Sequence, residues 1–143
     1  FERRGVFVTL TKGGELRGCI GCYSSELPLY EQVARTAVAS GFEDPRFKPL
    51  RAQELEDLNI EISVFLTRIE PIDSPRKFRP GLHGIILKHG LHSATFLPQV
   101  AVEQGWDRDT TLKELSLKAG LGPGAWKDKE ARFFVYETQS FHE

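Results

Sequence analysis

Apolar positions recur at two periods along this chain, and the changes of period mark its elements. Val6-Phe7-Val8-Thr9-Leu10-Thr11 is dense in β-branched and aromatic residues, which fit a pleated surface. Lys12-Gly13-Gly14-Glu15 follows as a turn, because glycine reaches positive φ at no steric cost. Leu16 to Tyr23 is then the returning strand of a hairpin. The period lengthens after Ser24-Ser25-Glu26-Leu27-Pro28, a hydroxyl cap with proline in the first turn. Leu29, Val33, Ala37 and Ser40 define one face of a helix running to about Gly41, with Tyr30, Ala34 and Val38 alongside. Phe42 to Pro49 is a proline-broken connection in which Phe42 and Phe47 pin the loop to the core.

Ala52 to Asp57 predicts a short polar helix or turn. Leu58 to Leu66 alternates strictly, with Leu58, Ile60, Ile62, Val64 and Leu66 on the core face. Asn59, Glu61, Ser63 and Phe65 lie on the other, and Glu61 is by default a solvated carboxylate. Glu70 to Pro80 predicts a loop with at most a turn of helix. Gly84–Lys88 and Leu91–Phe96 flank His89-Gly90, a two-residue hairpin signal. Leu97-Pro98-Gln99-Val100 opens a helix that stops at Gly105. Asp109 or Thr110 caps another that carries Leu112, Leu115 and Leu117 and stops at Ala119-Gly120. Trp126 is a core anchor, and Ala131 to Thr138 is a final strand with Phe133 and Val135 on one face. These elements predict an α+β fold, a largely antiparallel sheet with flanking helices.

With 143 residues the chain is one domain by length. Its net charge of -1 points away from nucleic acid and anionic membranes. No apolar run reaches a membrane span. A chain that begins at Phe1 and contains no methionine reads as a fragment or processed form.

Chemistry concentrates in Leu16-Arg17-Gly18-Cys19-Ile20-Gly21, followed by Cys22. Cys19 and Cys22 have C-x-x-C spacing, but on a strand residues three apart point to opposite faces. No second pair accompanies them to complete a zinc site, so no metal is expected. Free thiols in a reducing cytoplasm is the plain reading. In an enzyme, Cys19 is the nucleophile and needs a nearby base. His83, in a glycine-bracketed loop, is the best histidine for it, and Glu61 is either a base or the counter-ion of Arg17. Arg17 shares a face with Cys19 on an ideal strand and suits a carboxylate or phosphate. Gly18 and Gly21 mark a place where a ligand or another strand comes close. Gln99, at a helix start, would help bind an anion. Against this stands a structural reading, in which Cys19 is a small buried hydrophobe and Arg17 and Glu61 hold the fold together. His89, His92 and His142 carry little weight.

The Leu-Arg-Gly-Cys-Ile-Gly run follows Gly5-Val6-Phe7-Val8-Thr9-Leu10 and precedes Asp44-Pro45-Arg46-Phe47, Leu97-Pro98-Gln99-Val100-Ala101, Trp106 and Lys118-Ala119-Gly120-Leu121. In this order the islands closely resemble the AMMECR-domain family, which includes the A component of the AmmeMemoRadiSam grouping. The resemblance implies a single domain over 1–143 with two lobes and a crevice between them, the LRGCIG segment lying beside it. It also implies that a helical stretch usual before the first strand is missing here. It fixes no reaction or cofactor. Its neighbours, a radical-SAM protein and a Memo-like protein, make two functions the leading expectations. One is a cytoplasmic enzyme, or modifying subunit, acting on an unknown small molecule. The other is an interaction module that docks a protein partner without catalysis.

Overall fold

The computed structural model describes residues 4–23 and 26–142. Its strands are β1 (Val6–Lys12), β2 (Glu15–Cys22), β3 (Leu58–Phe65), β4 (Glu70–Ile72), β5 (Gly84–His89), β6 (His92–Phe96), β7 (Arg132–Tyr136) and β8 (Thr138–His142). The helices are α1 (Leu29–Phe42), α2 (Pro98–Gln104) and α3 (Arg108–Lys118), with 3₁₀ turns at Ala52–Asp57, Pro75–Lys77 and Ala125–Lys127. The α+β, antiparallel expectation holds, and the strands divide between two four-stranded sheets, β2-β1-β3-β8 and β4-β7-β5-β6. The chain forms two compact units. One contains the chain up to Leu66 and again from Gln139; the other is Thr67–Thr138.

In the first unit the β1–β2 hairpin turns through Gly13 (φ 59°) and Gly14 (φ 80°). Both lie in the left-handed region that a twisted two-residue turn requires. Val6, Val8 and Leu10 are buried on the face that α1 covers. The helix itself departs from the apolar pattern, because its buried positions are Gln32, Thr36, Ser40 and Gly41. Tyr30, Val38 and Phe42 are exposed. The reason is hydrogen bonding: the Ser40 hydroxyl accepts from Ile20 N–H (3.2 Å) and lies 2.9 Å from the Val8 carbonyl, bridging β2 and β1. A buried backbone group without a partner is costly, so a small polar residue outcompetes an apolar one there. Phe42 therefore ends the helix in solvent and does not pin the loop. The Ser24-Ser25 cap lies outside the described residues. Pro28 stands just before the first helical residue, with no side-chain cap.

On β3 the alternation holds, yet Ser63 and Phe65 are its most buried residues. Both faces of this strand are covered, because Ile60, Ile62 and Val64 pair with Leu10, Val8 and Val6 on the helix side. Phe65 packs on the opposite face against Phe7 and Tyr23.

The second unit encloses a core of Phe78, Ile85, Leu87, Leu112, Leu115, Ala119, Phe133 and Val135, with Trp126 packed against it. Gly90 and Leu91 form the β5–β6 loop, one residue later than expected, with His89 paired to His92 across it. Asp107 caps α3 by accepting from Thr110 N–H at 2.8 Å, displacing Asp109 and Thr110 from that role. Leu117 is exposed. The expected loop at Glu70–Pro80 instead opens with β4, paired to β7. The last strand stops at Tyr136, and β8 begins two residues later as the edge of the first sheet beside β3.

Candidate functional site

The hairpin strand β2 carries the distinctive hexapeptide, and its register decides where each side chain goes. Gly18 pairs with Leu10, but Leu16 pairs with Thr11, so Arg17 is the extra residue of a bulge. A bulge breaks the two-residue alternation and re-aims a side chain. Arg17 and Cys19 therefore part company. The Cys19 thiol lies 3.4 Å from the Thr9 hydroxyl. Arg17 turns to the segment after α1. Its Nε donates to Glu54 Oε1 (3.0 Å) and its Nη2 to the Lys48 carbonyl (2.7 Å) and Glu54 Oε2 (3.3 Å).

Glu54, not Glu61, is thus the counter-ion of Arg17. It also accepts from Arg51 N–H (2.8 Å) and from Lys12 Nζ (3.4 Å). The Arg17 guanidinium above all, then the Arg51 N–H, holds its carboxyl at about 2. The Arg17 guanidinium also lies 5.8 Å from the centre of the Phe47 ring, with Arg46 at 5.5 Å, so Phe47 is held by cations.

The edge of β2 is closed by Asp44, whose side chain is 2% exposed. Its carboxylate accepts from Cys19 N–H (3.1 Å), Arg46 N–H (3.0 Å), Arg46 Nε (3.0 Å) and Arg46 Nη2 (2.7 Å). The Arg46 side chain, followed by the Arg46 and Cys19 backbone donors, drives its pKa well below the ordinary carboxylate range against the opposing effect of burial. Asp44 in turn raises that of Arg46. An acid thus does for an edge strand what another strand would do.

The two glycines are accounted for by the protein's own packing. A Cβ on Gly18 would run into the Ser40 carbonyl of α1, and one on Gly21 would strike the Phe7 ring. The close approach expected at these positions is made by a helix and an aromatic ring, so neither glycine opens space for a substrate.

Cys19 sits on the sheet face away from α1, since its neighbour Gly18 faces the helix. Cys22 pairs with Val6 and Cys19 with Thr9, so the two cysteines divide between faces as strand geometry requires. Thr9 also pairs with Glu61 on β3. Glu61 Oε2 lies 3.0 Å from His142 Nδ1 on β8. Cys19, Thr9, Glu61 and His142 therefore form one row across all four strands of the first sheet. The next row contains Gly21, Phe7, Ser63 and Ser140, with the two serine hydroxyls 2.9 Å apart. Adjacent members of a row stand about 5 Å apart, which leaves Cys19 and Glu61 about 10 Å apart across Thr9. A small molecule lying over Thr9 would touch both.

His83 and Gln99 belong to the second unit. His83 Nδ1 accepts from Arg79 N–H at 3.0 Å, so neutral His83 carries its proton on Nε2 and offers no lone pair to a thiol. Burial, with Arg79 adding a smaller push, lowers its pKa, partly offset by Glu137. It lines a pocket of about 310 Å³ with Arg68, Glu70, Tyr136 and Glu137. Gln99 follows Pro98 in the two opening positions of α2, and proline there supplies no N–H to an anion. Among the described residues no group of three His, Cys, Asp or Glu side chains is placed to hold a metal ion.

A family model described as AMMECR1 matches residues 1–141. The chain belongs to the AMMECR1 family. A protein of Methanothermobacter thermautotrophicus is 43% identical over 148 residues, spanning 99% of this chain and 77% of its own. One from Methanopyrus kandleri is also 43% identical, over 99% of this chain and 72% of its own. The crystal structure of an uncharacterised protein from Pyrococcus horikoshii superposes with a TM-score of 0.90 at 39% identity, covering 99% of this chain and 74% of that one. These AMMECR1 relatives carry no named reaction. The chemistry has to be read from the side chains.

Asp44, Arg46, Glu54, Thr9 and His142 were not picked out by the chemistry of the sequence. Asp44 and Arg46 stood in one of the islands of resemblance, but nothing in their spacing announced a carboxylate closing a strand edge. Only the register of β3 against β1, and of β8 against β3, brings Glu61 and His142 into the row of Cys19.

Proposed function

We propose that this AMMECR1-family chain is a small-molecule enzyme, or the modifying subunit of one, with Cys19 as its nucleophile. The observation that supports this most is the row Cys19–Thr9–Glu61–His142. It sets a thiol, a hydroxyl and a carboxylate–imidazole pair in line on one sheet face. In this reading the Cys19 sulfur bonds to an electrophilic carbon of the substrate as its proton passes to the neighbouring Thr9 hydroxyl. Thr9 relays a proton through bridging water to Glu61, which His142 orients, and the same relay returns it to the departing group. His83 and the LRGCIG glycines have no part in proton transfer. Action in the cytoplasm, beside a radical-SAM or Memo-like protein, is the setting that the family resemblance implies.

Intact-mass analysis of protein incubated with the small-molecule fraction of its own host tests this. A covalent adduct on wild-type protein that disappears in a folded Cys19→Ser variant supports the reading. If Cys19→Ser and Glu61→Gln both match wild type in a host-growth complementation assay, the thiol is structural. A partner-docking role without catalysis then takes its place.

A further inference from the structure

The other side of the β2 edge holds a second feature that the Cys19 row does not use. A pocket of about 480 Å³ opens between the Arg17 bulge, the segment after α1 and the 3₁₀ turn at Ala52–Asp57. Lys12, Arg17, Arg46, Lys48 and Arg51 line it, against a single carboxylate, Glu54. Five of the chain's 19 Lys and Arg residues thus converge on one cavity of a chain whose net charge is -1. Glu54 is matched by Arg17 and Lys12, and Arg46 is matched by Asp44. Lys48 and Arg51 make no ion pair among the described residues, so the pocket holds uncompensated positive charge.

Arg17 supplies the second observation. Its Nε and Nη2 are engaged, but its Nη1 is buried without a hydrogen-bond partner. Buried guanidinium donors are almost always satisfied, and an orphan beside a cationic cavity points to a missing acceptor. Glu54 and the Lys48 carbonyl hold the fork rigid, and Phe47 supports it from its ring face. Pre-ordering of that kind lowers the entropy lost when an anion docks. A phosphate monoester fits best. It is close to a dianion at neutral pH, which balances Lys48 and Arg51, and it offers three acceptor oxygens to Nη1 and its neighbours.

We propose that this pocket binds the phosphoryl group of a small phosphorylated molecule, with Arg17 Nη1, Lys48 and Arg51 as its ligands. The proposal stands apart from the Cys19 reading, because the thiol and the Arg17 side chain leave β2 in different directions.

The probe is phenyl phosphate, titrated into the full chain and followed through the ¹H–¹⁵N signals of Arg17 Nε–H and the Phe47 amide. Phthalate, an aromatic dicarboxylate of similar size and charge, is the comparison. Saturable phenyl phosphate binding is expected, about tenfold tighter than phthalate. It should weaken about tenfold or more in Lys48→Ala/Arg51→Ala, since hydrogen bonds to charged groups are the strong ones. Both side chains are exposed, and what Lys48 and Arg51 contribute to the Arg17–Glu54 pair comes from backbone atoms, the Lys48 carbonyl and the Arg51 N–H, so this variant keeps its fold, with an unchanged melting temperature as the check. Cys19→Ser should bind as wild type does, which separates failure here from failure of the thiol chemistry. Three results overturn the proposal: no saturation by about 10 mM, equal affinity in the double variant, or phthalate binding as tightly as phenyl phosphate.

Discussion

Asp44→Ala is the most informative perturbation of the hexapeptide's frame. The wild-type carboxylate accepts two backbone N–H donors, from Cys19 and Arg46, at a site where it is 2% exposed. Hydrogen bonds to a charged group contribute about 1.5–3 kcal/mol each. The Arg46 side chain is 51% exposed and regains water when the acid is lost, so its share stays near the exposed-pair value, below about 1 kcal/mol. Removing the carboxylate also removes its own desolvation penalty. The net expectation is a loss of about 3 kcal/mol at neutral pH, read by urea unfolding with far-UV circular dichroism. The pH dependence has a definite sign. The native pKa of Asp44 is lowered, so its stabilisation is complete above the unfolded value of about 4 and drains away as pH falls below it toward the native value. The gap between wild type and variant should therefore close in acid. A variant within about 0.5 kcal/mol of wild type at neutral pH, or a gap that widens in acid, would mean that the Asp44 carboxylate does not hold the β2 edge.

Other outcomes follow from the same geometry. Gly18→Ala should destabilise by about 1–3 kcal/mol in urea unfolding, because the new methyl meets the Ser40 carbonyl and α1 has to give way; a neutral substitution would mean that the helix is not seated there. Glu54 should titrate at about 2 by carboxyl ¹³C NMR and move toward the ordinary glutamate value in Arg17→Met, and a wild-type midpoint near that ordinary value would dissolve the ion pair. His83 should titrate below a free histidine. Its contribution to stability is then present above about pH 6.5 and lost as pH falls, and a raised midpoint by imidazole NMR would contradict its burial.

Much of this molecule can be read from residue pattern alone, and the exceptions share a cause. The hairpin at Gly13-Gly14, the strand from Leu58 and the helix stop at Gly105 follow from local backbone preferences, which a sequence states directly. The buried face of α1 does not, because Ser40 serves the backbone of β1 and β2, while Gln32 and Thr36 satisfy each other across one helical turn. Periodicity counts apolarity and is blind to that demand. The pairing of Arg17 with Glu54 escaped for a related reason: one inserted residue shifts the alternation, and a bulge leaves no reliable local mark. Cys19 was legible as a candidate from its hexapeptide, and so was Glu61. That the two stand in one row with Thr9 and His142 depends on strand pairings between distant parts of the chain. The role of β8 is the clearest case, since its residues read as a tail until the sheet order is known.

If Cys19 is a working thiol in a functional row, its alkylation rate should say so. In a Cys22→Ser background, iodoacetamide labelling followed by intact mass at neutral pH should modify native Cys19 faster than the same residue in urea-unfolded protein. Thr9→Val and Glu61→Gln should each slow the native rate while leaving the unfolded rate unchanged. Native Cys19 that labels no faster than the unfolded thiol, with both variants indistinguishable from wild type, would leave Cys19 a packing residue and the row without chemistry.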